Sequence, residues 1–479
     1  MSNDKYLLTQ DEDMKLWDLA TGKLAAHIIT FHNSKDWILL TPDGRFDGSQ
    51  GGLKQLYYLK GQEIIPLEQL YEGFYTPGLM KQVLDGEGSD GGQDIKNIKS
   101  PPSVKIGIPT TQRNLIVEED SPTTRLFKMT TDKISLTVEA TCPDDGVSEI
   151  RLFHNGKIVG SGTRNLIVED DKVEKLKTQT FDIQLVEGDN AFKAVALNTQ
   201  RTESKPDEII INFKAEKGSN TEGGIQLHLI VIGINKYKNP KYNLNYATAD
   251  ATSFKEAIER GGSSIFSKTN IVFLGDDKAT KEGISSELEK VKTTAKPQDV
   301  FIFYYAGHGV MNDKKKFYLV PHDVTQLYGN DDALAQKGLS ANQLQQFSKD
   351  IKAQKQLFIL DACQSAAALE QVVAARGAAE EKAIAQLARA TGTYWLTASG
   401  SEQFASEFTQ LGHGTFTYVL LEALSGKADK GGDKKITVKE LDAYLQEVVP
   451  EMTAKYKGTP QYPASYGFGN DFPIGVVKQ

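Results

Sequence analysis

The sequence predicts a multidomain protein in which two all-β parts precede an α/β domain built on a mostly parallel six-stranded sheet. Three observations lead there. Two polar, glycine-rich stretches, DGEGSDGGQDIKNIKSPP (85–102) and KAEKGSNTEGG (214–224), read as linkers and divide the chain into parts at 1–95, 101–215 and 224–479. The first two parts carry short strand patterns separated by turn signals. The third alternates apolar strand segments with helical ones, the sign of a mostly parallel sheet covered by helices.

In the first part, MKLWDLATGKL (14–24) places Trp17-Asp18 after a short strand and Thr21-Gly22 at a turn, which resembles the end of a WD-repeat propeller blade. A blade takes roughly 40–45 residues and a propeller at least about four blades. The segment is therefore expected to form a small β-rich cap, unless further repeats precede it. WILLTPDGRFDGS (37–49) reads as strand, turn, strand, with Pro42-Asp43-Gly44 in the turn.

The second part is β throughout. ISLTVEA (134–140) sets Ile134, Leu136, Val138 and Ala140 on one face, and Asn155-Gly156 tolerates the positive φ angles of a type I′ hairpin turn. FDIQLVEGDNAFKAVALN (181–198) reads as a second hairpin, so a sandwich resembling an immunoglobulin-like fold is expected. Cys142, at a strand end without a partner cysteine, reads as a small buried hydrophobe. RNLIVEED (113–120) recurs as RNLIVEDD (164–171), which is read as a duplicated strand.

In the third part, strands are expected at 225–234, 270–274, 299–309, 356–361 and 394–399, with helices over 250–260, 280–294, 340–349, an Ala-rich region to about 390, 415–425 and 438–456. A sheet of this kind binds ligands beyond the carboxyl ends of its strands.

Composition narrows the function classes. The chain has 479 residues, 39% hydrophobic and 25% charged, enough for substantial cores in two to four domains. Its apolar runs, such as LIVIGI (229–234), are far short of the roughly 20 residues a membrane-spanning helix needs. The start MSNDK has no signal-peptide pattern, so a cytoplasmic location is expected. A formal charge of −8 without a Lys/Arg block argues against nucleic acid as the main partner. Two distant cysteines, Cys142 and Cys363, make neither a disulfide framework nor a zinc cluster.

Cys363 lies just past the strand QLFILD, and His308 lies at the end of another at YYAGHG (304–309), so both should reach one crevice. A free thiol near pKa 8.5 is mostly protonated at neutral pH, and a neighbouring imidazole can take its proton or stabilise the thiolate. The same imidazole can then protonate a leaving amine. The Gly309 and Cys363 amides are candidates for holding an oxyanion, and glycine at 309 lets main chain approach a substrate. A lone His or a lone buried Cys is more often a packing residue; the two at matching strand ends point to chemistry.

These motifs are where the third part resembles a known family. YYAGHG and DACQS resemble the histidine and cysteine motifs of caspase-type cysteine peptidases, closest to prokaryotic caspase homologues and metacaspases, and His308 precedes Cys363 by 55 positions. The resemblance covers about half of the chain. It implies a His308/Cys363 dyad with the Gly309 and Cys363 amides as oxyanion hole. Where caspases carry Gln two positions before the cysteine, this chain has Asp361, as metacaspases do, and LNYATADATSF (244–254) resembles the segment that supplies their second pocket acid, here Asp250. Two carboxylates in a dry slot favour a guanidinium or ammonium, so cleavage after Arg or Lys is expected. The plainer readings are a helix-start acid for Asp250 and a strand-end acid held by amides for Asp361.

Cofactor and activation are open to the same reasoning. Asp323 matches one calcium-binding position of metacaspases, but the later paired acids are replaced by LSAN (339–342). DKGGDKKITVKE (429–440) has acids at positions 1, 5 and 12 of an EF-hand loop, yet Gly431 and Lys434 stand where a ligand and the sharp-turn glycine belong. Thr437 and Glu440 read instead as a capping box, so no structural metal is expected. The segment after the cysteine strand holds Arg376 and Arg389 as self-cleavage candidates, but its helical character favours activity without cutting. His413-Gly414 reads as a helix-start pair. Overall the expectation is an Arg/Lys-directed cysteine endopeptidase acting on protein substrates, its β domains recruiting or regulating targets. The alternative is a non-catalytic interaction module on a caspase-like scaffold.

Overall fold

The computed structural model of the chain describes residues 5–32, 34–86, 93–108, 115–120, 125–160, 174–215, 224–312, 314, 316–327, 329–364, 370–398, 407–408 and 412–477. The N-terminal part opens with five antiparallel strands in sequence order, from Tyr6–Gln10 to Phe46–Gly48. Alternate residues of its fourth strand face opposite sides. Leu39 joins a small cluster with Leu16, Ala26, Leu79 and Val83, whereas Ile38 and Phe46 enter a larger one. Helical turns over Leu67–Leu70 and Tyr71–Phe74 depart from the all-β expectation. Their Leu67, Leu70, Tyr71 and Phe74 recur at helical spacing, form one apolar stripe and bury it.

That stripe lies in one core with Ile230, Phe303 and Phe358 of the third part. The cap therefore packs onto the C-terminal domain rather than hanging from a free tether. Ile98, inside the stretch read as a linker, is itself only 4% exposed and belongs to this core.

Residues 103–213 form a three-stranded and a six-stranded sheet. Between them lies one cluster in which Ile134, Leu136, Val138 and Ala140 meet Leu152, Phe192 and Ile211. The expected inward face is the observed one, and Cys142 is buried in the same cluster. Asn155 and Gly156 both adopt positive φ, 50° and 85°, as a type I′ turn requires. The tip of that hairpin reaches the C-terminal domain, where Lys157 Nζ donates to Ile351 O at 3.1 Å and Asn155 Nδ2 to Gln354 Oε1 at 3.0 Å. Of the repeated octapeptide, Leu115–Asp120 is an edge strand beside Arg125–Met129; the copy at 164–171 lies outside the described residues.

The C-terminal domain comprises β1 (Gln226–Gly233), α1 (Ala247–Gly262), β2 (Lys268–Gly275), α2 (Lys281–Thr294), β3 (Val300–Met311), β4 (Phe317–Val320), α3 (Asp331–Lys337), β5 (Leu339–Ser340) and α4 (Ala341–Asp350). It continues with β6 (Lys355–Gln364), α5 (Glu370–Thr391), β7 (Tyr394–Thr397), β8 (Glu407–Phe408), β9 (His413–Gly414), α6 (Thr415–Glu422), β10 (Lys435–Thr437), α7 (Val438–Lys457), β11 (Ala464–Gly467) and β12 (Pro473–Val476). The sheet runs β2-β1-β3-β6-β7-β11, parallel except for β11. The main path has six strands, but β4 and β5 pair on as a side branch and bring the sheet to eight. The branch arises because β3 does not stop at Gly309; it runs to Met311 and returns antiparallel as β4.

Strands buried on both faces read as continuous apolar runs, and the two faces separate by parity. Phe301, Phe303 and Tyr305 of β3 pack under α2, α4 and α5. Ile302 and Tyr304 pack under α1, α6 and α7, where Phe254 stacks on Tyr304 with ring centroids 4.4 Å apart. Helix starts are fixed locally: Ser340 with Gln343 caps α4, and Thr437 with Glu440 caps α7, each as a reciprocal box.

Candidate active site

The two central strands set the site. In the β3–β6 ladder His308 is the register partner of Cys363, Ala306 that of Asp361, and Gly309 that of Gln364. Neighbouring strands lie about 4.8 Å apart, and paired positions share a face of the pleated sheet. The two residues read as a dyad thus stand side by side, although 55 positions separate them in sequence.

Tyrosines hold His308 in place. Its backbone N–H donates to Tyr237 Oη at 2.9 Å, and the Tyr237 and imidazole rings lie with centroids 4.9 Å apart. Tyr305 Oη lies 2.9 Å from His308 O and 2.8 Å from Val320 O, tying β3 to β4. Gly307 is required by this packing, since a Cβ there would come within 2.7 and 2.9 Å of the Tyr305 and Tyr237 hydroxyls. The imidazole Nε2 lies 2.7 Å from Tyr242 O. A carbonyl only accepts, so Nε2 carries hydrogen and Nδ1 is the basic nitrogen of the neutral ring. Tyr237 and Tyr242 were not singled out from the sequence; their partners are 71 and 66 residues away.

Gly309 lies inside an extended strand, opposite Leu319 on one side and Gln364 on the other, because the ladder continues past it.

Asp250 and Asp361 come together beside Gly414. They are only 4% and 7% exposed. Asp250, in the first turn of α1, accepts the Gly414 N–H at 3.3 and 3.2 Å through its two oxygens and meets His413 Nδ1 at 2.7 Å through Oδ1. It is thus held by the start of α6. Asp361 Oδ2 accepts the Thr417 hydroxyl at 2.6 Å, and Thr417 Oγ1 lies 2.6 Å from Tyr304 Oη. One hydroxyl hydrogen goes to the carboxylate, so Tyr304 donates to Thr417. Burial first, then the charges of Asp361 and Asp250, push the Tyr304 phenol well above its usual range. A Cβ at Gly414 would sit 3.2 Å from Asp250 Oδ2 and 3.3 Å from Asp361 Oδ2, so both carboxylates border one small space.

His413-Gly414 does start a helix, with Gly414 at the N-cap of α6, and it also pairs with β8 and engages Asp250. That second role was not anticipated.

The metal candidates have other partners. Asp323 Oδ2 pairs with Lys337 Nζ at 2.9 Å. In the EF-hand-like loop, Asp429 accepts the N–H groups of Gly432 and Lys434 at 2.7 and 2.9 Å, and Lys434 takes the glycine-like φ of 65°. Glu440 accepts from the Thr437 N–H in the capping box. Among the described residues, no three His, Cys, Asp or Glu side chains are placed to hold a metal ion. Nor is any described helix long and apolar enough to cross a membrane.

The proposed cut sites both lie in α5. Arg389 is engaged there: Nη2 donates to Glu68 O at 2.8 Å and Glu203 Oε1 at 3.1 Å, and the guanidinium lies over Tyr71 and Phe468. The Arg376 side chain is outside the described residues.

Compared with known families, residues 227–467 match the caspase domain of the C14 peptidases. Among solved structures, a Geobacter sulfurreducens protein is similar over 53% of this chain and 100% of its own, at 16% identity and a TM-score of 0.36. Chaetomium thermophilum Raptor is similar over 44% of this chain and 20% of its own, at 12% identity and a TM-score of 0.25. Fibronectin(III)-like modules of Clostridium thermocellum CbhA are similar over 24% and 100%, at 17% identity and a TM-score of 0.17. No curated protein matches the chain.

Proposed function

The chain belongs to the caspase-domain family, and on that premise we propose that it is a cysteine endopeptidase cutting protein chains after arginine or lysine. The observation that carries this reading is the pairing of His308 with Cys363 across β3 and β6. His308 draws the proton from Cys363, the thiolate attacks the scissile carbonyl, and His308 returns the proton to the leaving amine. Water then hydrolyses the thioester with His308 as base. Backbone amides near Gly309 and Cys363 stabilise the oxyanion.

Asp250 and Asp361 select the basic side chain. Two carboxylates beside one space, both nearly removed from water, favour a group that donates to both, and the guanidinium fork does so. The same pairing of dyad residues supports catalysis over the non-catalytic alternative. The enzyme works without calcium, because Lys337 already supplies the cation beside Asp323. It works uncut, because Arg389 lies within a helix that grips the cap and is 16% exposed. We read the two-sheet part as an immunoglobulin-like module that, with the cap, recruits or regulates targets.

The test is turnover of fluorogenic peptides ending in Arg, Lys or Asp, with Cys363→Ala as control and the intact mass followed throughout. Expected is cleavage of the Arg and Lys peptides by a single 52.7 kDa chain. Equal turnover by Cys363→Ala would refute the peptidase reading, and preference for Asp would refute the pocket.

A further inference from the structure

We infer that His413 is a positioning residue that determines specificity: it fixes the Asp250 carboxylate so that the pocket prefers the forked guanidinium of arginine to the single ammonium of lysine. This deepens the basic-residue reading above and rests on it.

The carboxylates of Asp250 and Asp361 come from α1 and β6, and each is oriented by a donor at the start of α6. Thr417 Oγ1 holds Asp361 Oδ2 at 2.6 Å. His413 Nδ1 lies 2.7 Å from Asp250 Oδ1, and because a carboxylate only accepts, Nδ1 must donate. With Oδ1 engaged, Oδ2 turns to the space beside Gly414, where Asp361 Oδ2 also points: the two lie 3.2 and 3.3 Å from the position of a Cβ on residue 414. The His413 side chain is 21% exposed and that of Asp250 5%, so the imidazole is the more solvent-accessible partner of the pair.

An aspartate at the first turn of a helix has two soft torsions, and the Gly414 N–H contacts at 3.3 and 3.2 Å are too long and too even to choose between its oxygens. The short bond from His413 makes that choice. Geometry matters unequally to the two substrates. A guanidinium donates in fixed directions and gains most from two correctly turned carboxylates, whereas an ammonium is a compact charge on a flexible stem and is satisfied by one. Loss of the His413 donor therefore weakens arginine binding more than lysine binding. The reacting groups, His308 and Cys363, are untouched.

The experiment measures kcat and KM for matched Arg and Lys fluorogenic peptides with the full-length wild type, His413→Ala and His413→Asn. Asn restores a donor near the Nδ1 position. Expected for His413→Ala is a rise of about tenfold in the KM for Arg, a markedly smaller rise for Lys and kcat within about twofold, with Asn recovering most of the Arg preference. If His413→Ala does not fold, His413→Phe keeps the ring without the donor and serves the same comparison. An unchanged ratio of kcat/KM for Arg over Lys, or an equal loss for both with a lowered melting temperature, would overturn the inference. Wild type that cuts neither Arg nor Lys peptides but cuts others would instead remove the basic pocket itself, and the inference with it.

Discussion

His308 is directly opposite Cys363 across the two central parallel strands, and its imidazole Nε2 is committed to the Tyr242 carbonyl 2.7 Å away. The pairing follows from strand register and the ring orientation from a backbone acceptor.

The tyrosine brace on His308 has a measurable part. Tyr237→Phe removes the hydroxyl that accepts the buried His308 N–H, leaving it unpaired at a cost of about 1–3 kcal/mol. Expected are a lower melting temperature and a reduced kcat with little change in KM. Unchanged kcat and stability would show that the brace is not needed.

Two substitutions examine the acidic space. Gly414 has an ordinary φ of −61°, so Gly414→Ala introduces no backbone strain. The added methyl would touch both carboxylates, and an increase of more than about tenfold in KM for Arg peptides is expected at unchanged kcat. Thr417→Val keeps the shape but removes the donor to Asp361 and leaves the Tyr304 hydroxyl without its acceptor. It should raise the same KM and cost about 1–3 kcal/mol of stability. Calorimetry and peptide kinetics on both variants check these outcomes.

Stability at the junction of cap and α5 is expected to depend on pH. Burial first, then the Glu381 carboxylate on α5, raises Asp47 from 3.8 to about 7, against the Gly48 and Gly78 amides that hold it. A carboxyl with a raised folded pKa contributes its full stability below about pH 4 and loses it as the pH rises through about 7. Asp47→Asn removes that loss. Its melting temperature relative to wild type should climb between pH 5 and pH 8, by an amount equivalent to roughly 2 kcal/mol. A difference that stays flat with pH contradicts the assignment.

Calcium should not alter the activity. Lys337 pairs with Asp323 at 2.9 Å, and Glu440 is used to cap α7. Turnover of Arg peptides is expected to be equal in excess chelator and in millimolar calcium; a rise of more than about threefold with calcium would refute this.

What was legible in the sequence follows how local each signal is. Apolar runs such as 225–234 and 356–361 mark buried parallel strands, and Thr437 with Glu440 marks a helix start, because each pattern is complete within a few residues. The side branch β4–β5 and the closing strand β11 were missed. Both are short, and their place depends on partners across the sheet. Leu70, Tyr71 and Phe74 announce burial but not against what, so the shared core of cap and C-terminal domain was not readable. The pairing of His308 with Cys363 in the ladder could be anticipated because each ends a strong strand motif. Tyr237, Tyr242 and Thr417 carry no such mark, and the repeated His-Gly dipeptide at His413 was the only hint of a contact spanning 163 residues.

The most direct test of the imidazole–sulfur partnership is the rate at which iodoacetamide alkylates Cys363 at pH 6, read by peptide mass mapping in wild type and His308→Ala. Cys142, buried at 1% exposure, serves as the internal reference. If His308 stabilises the thiolate, wild type should react at least about tenfold faster at Cys363 than the variant. Equal rates would mean that histidine and sulfur are neighbours in the ladder without being partners in chemistry.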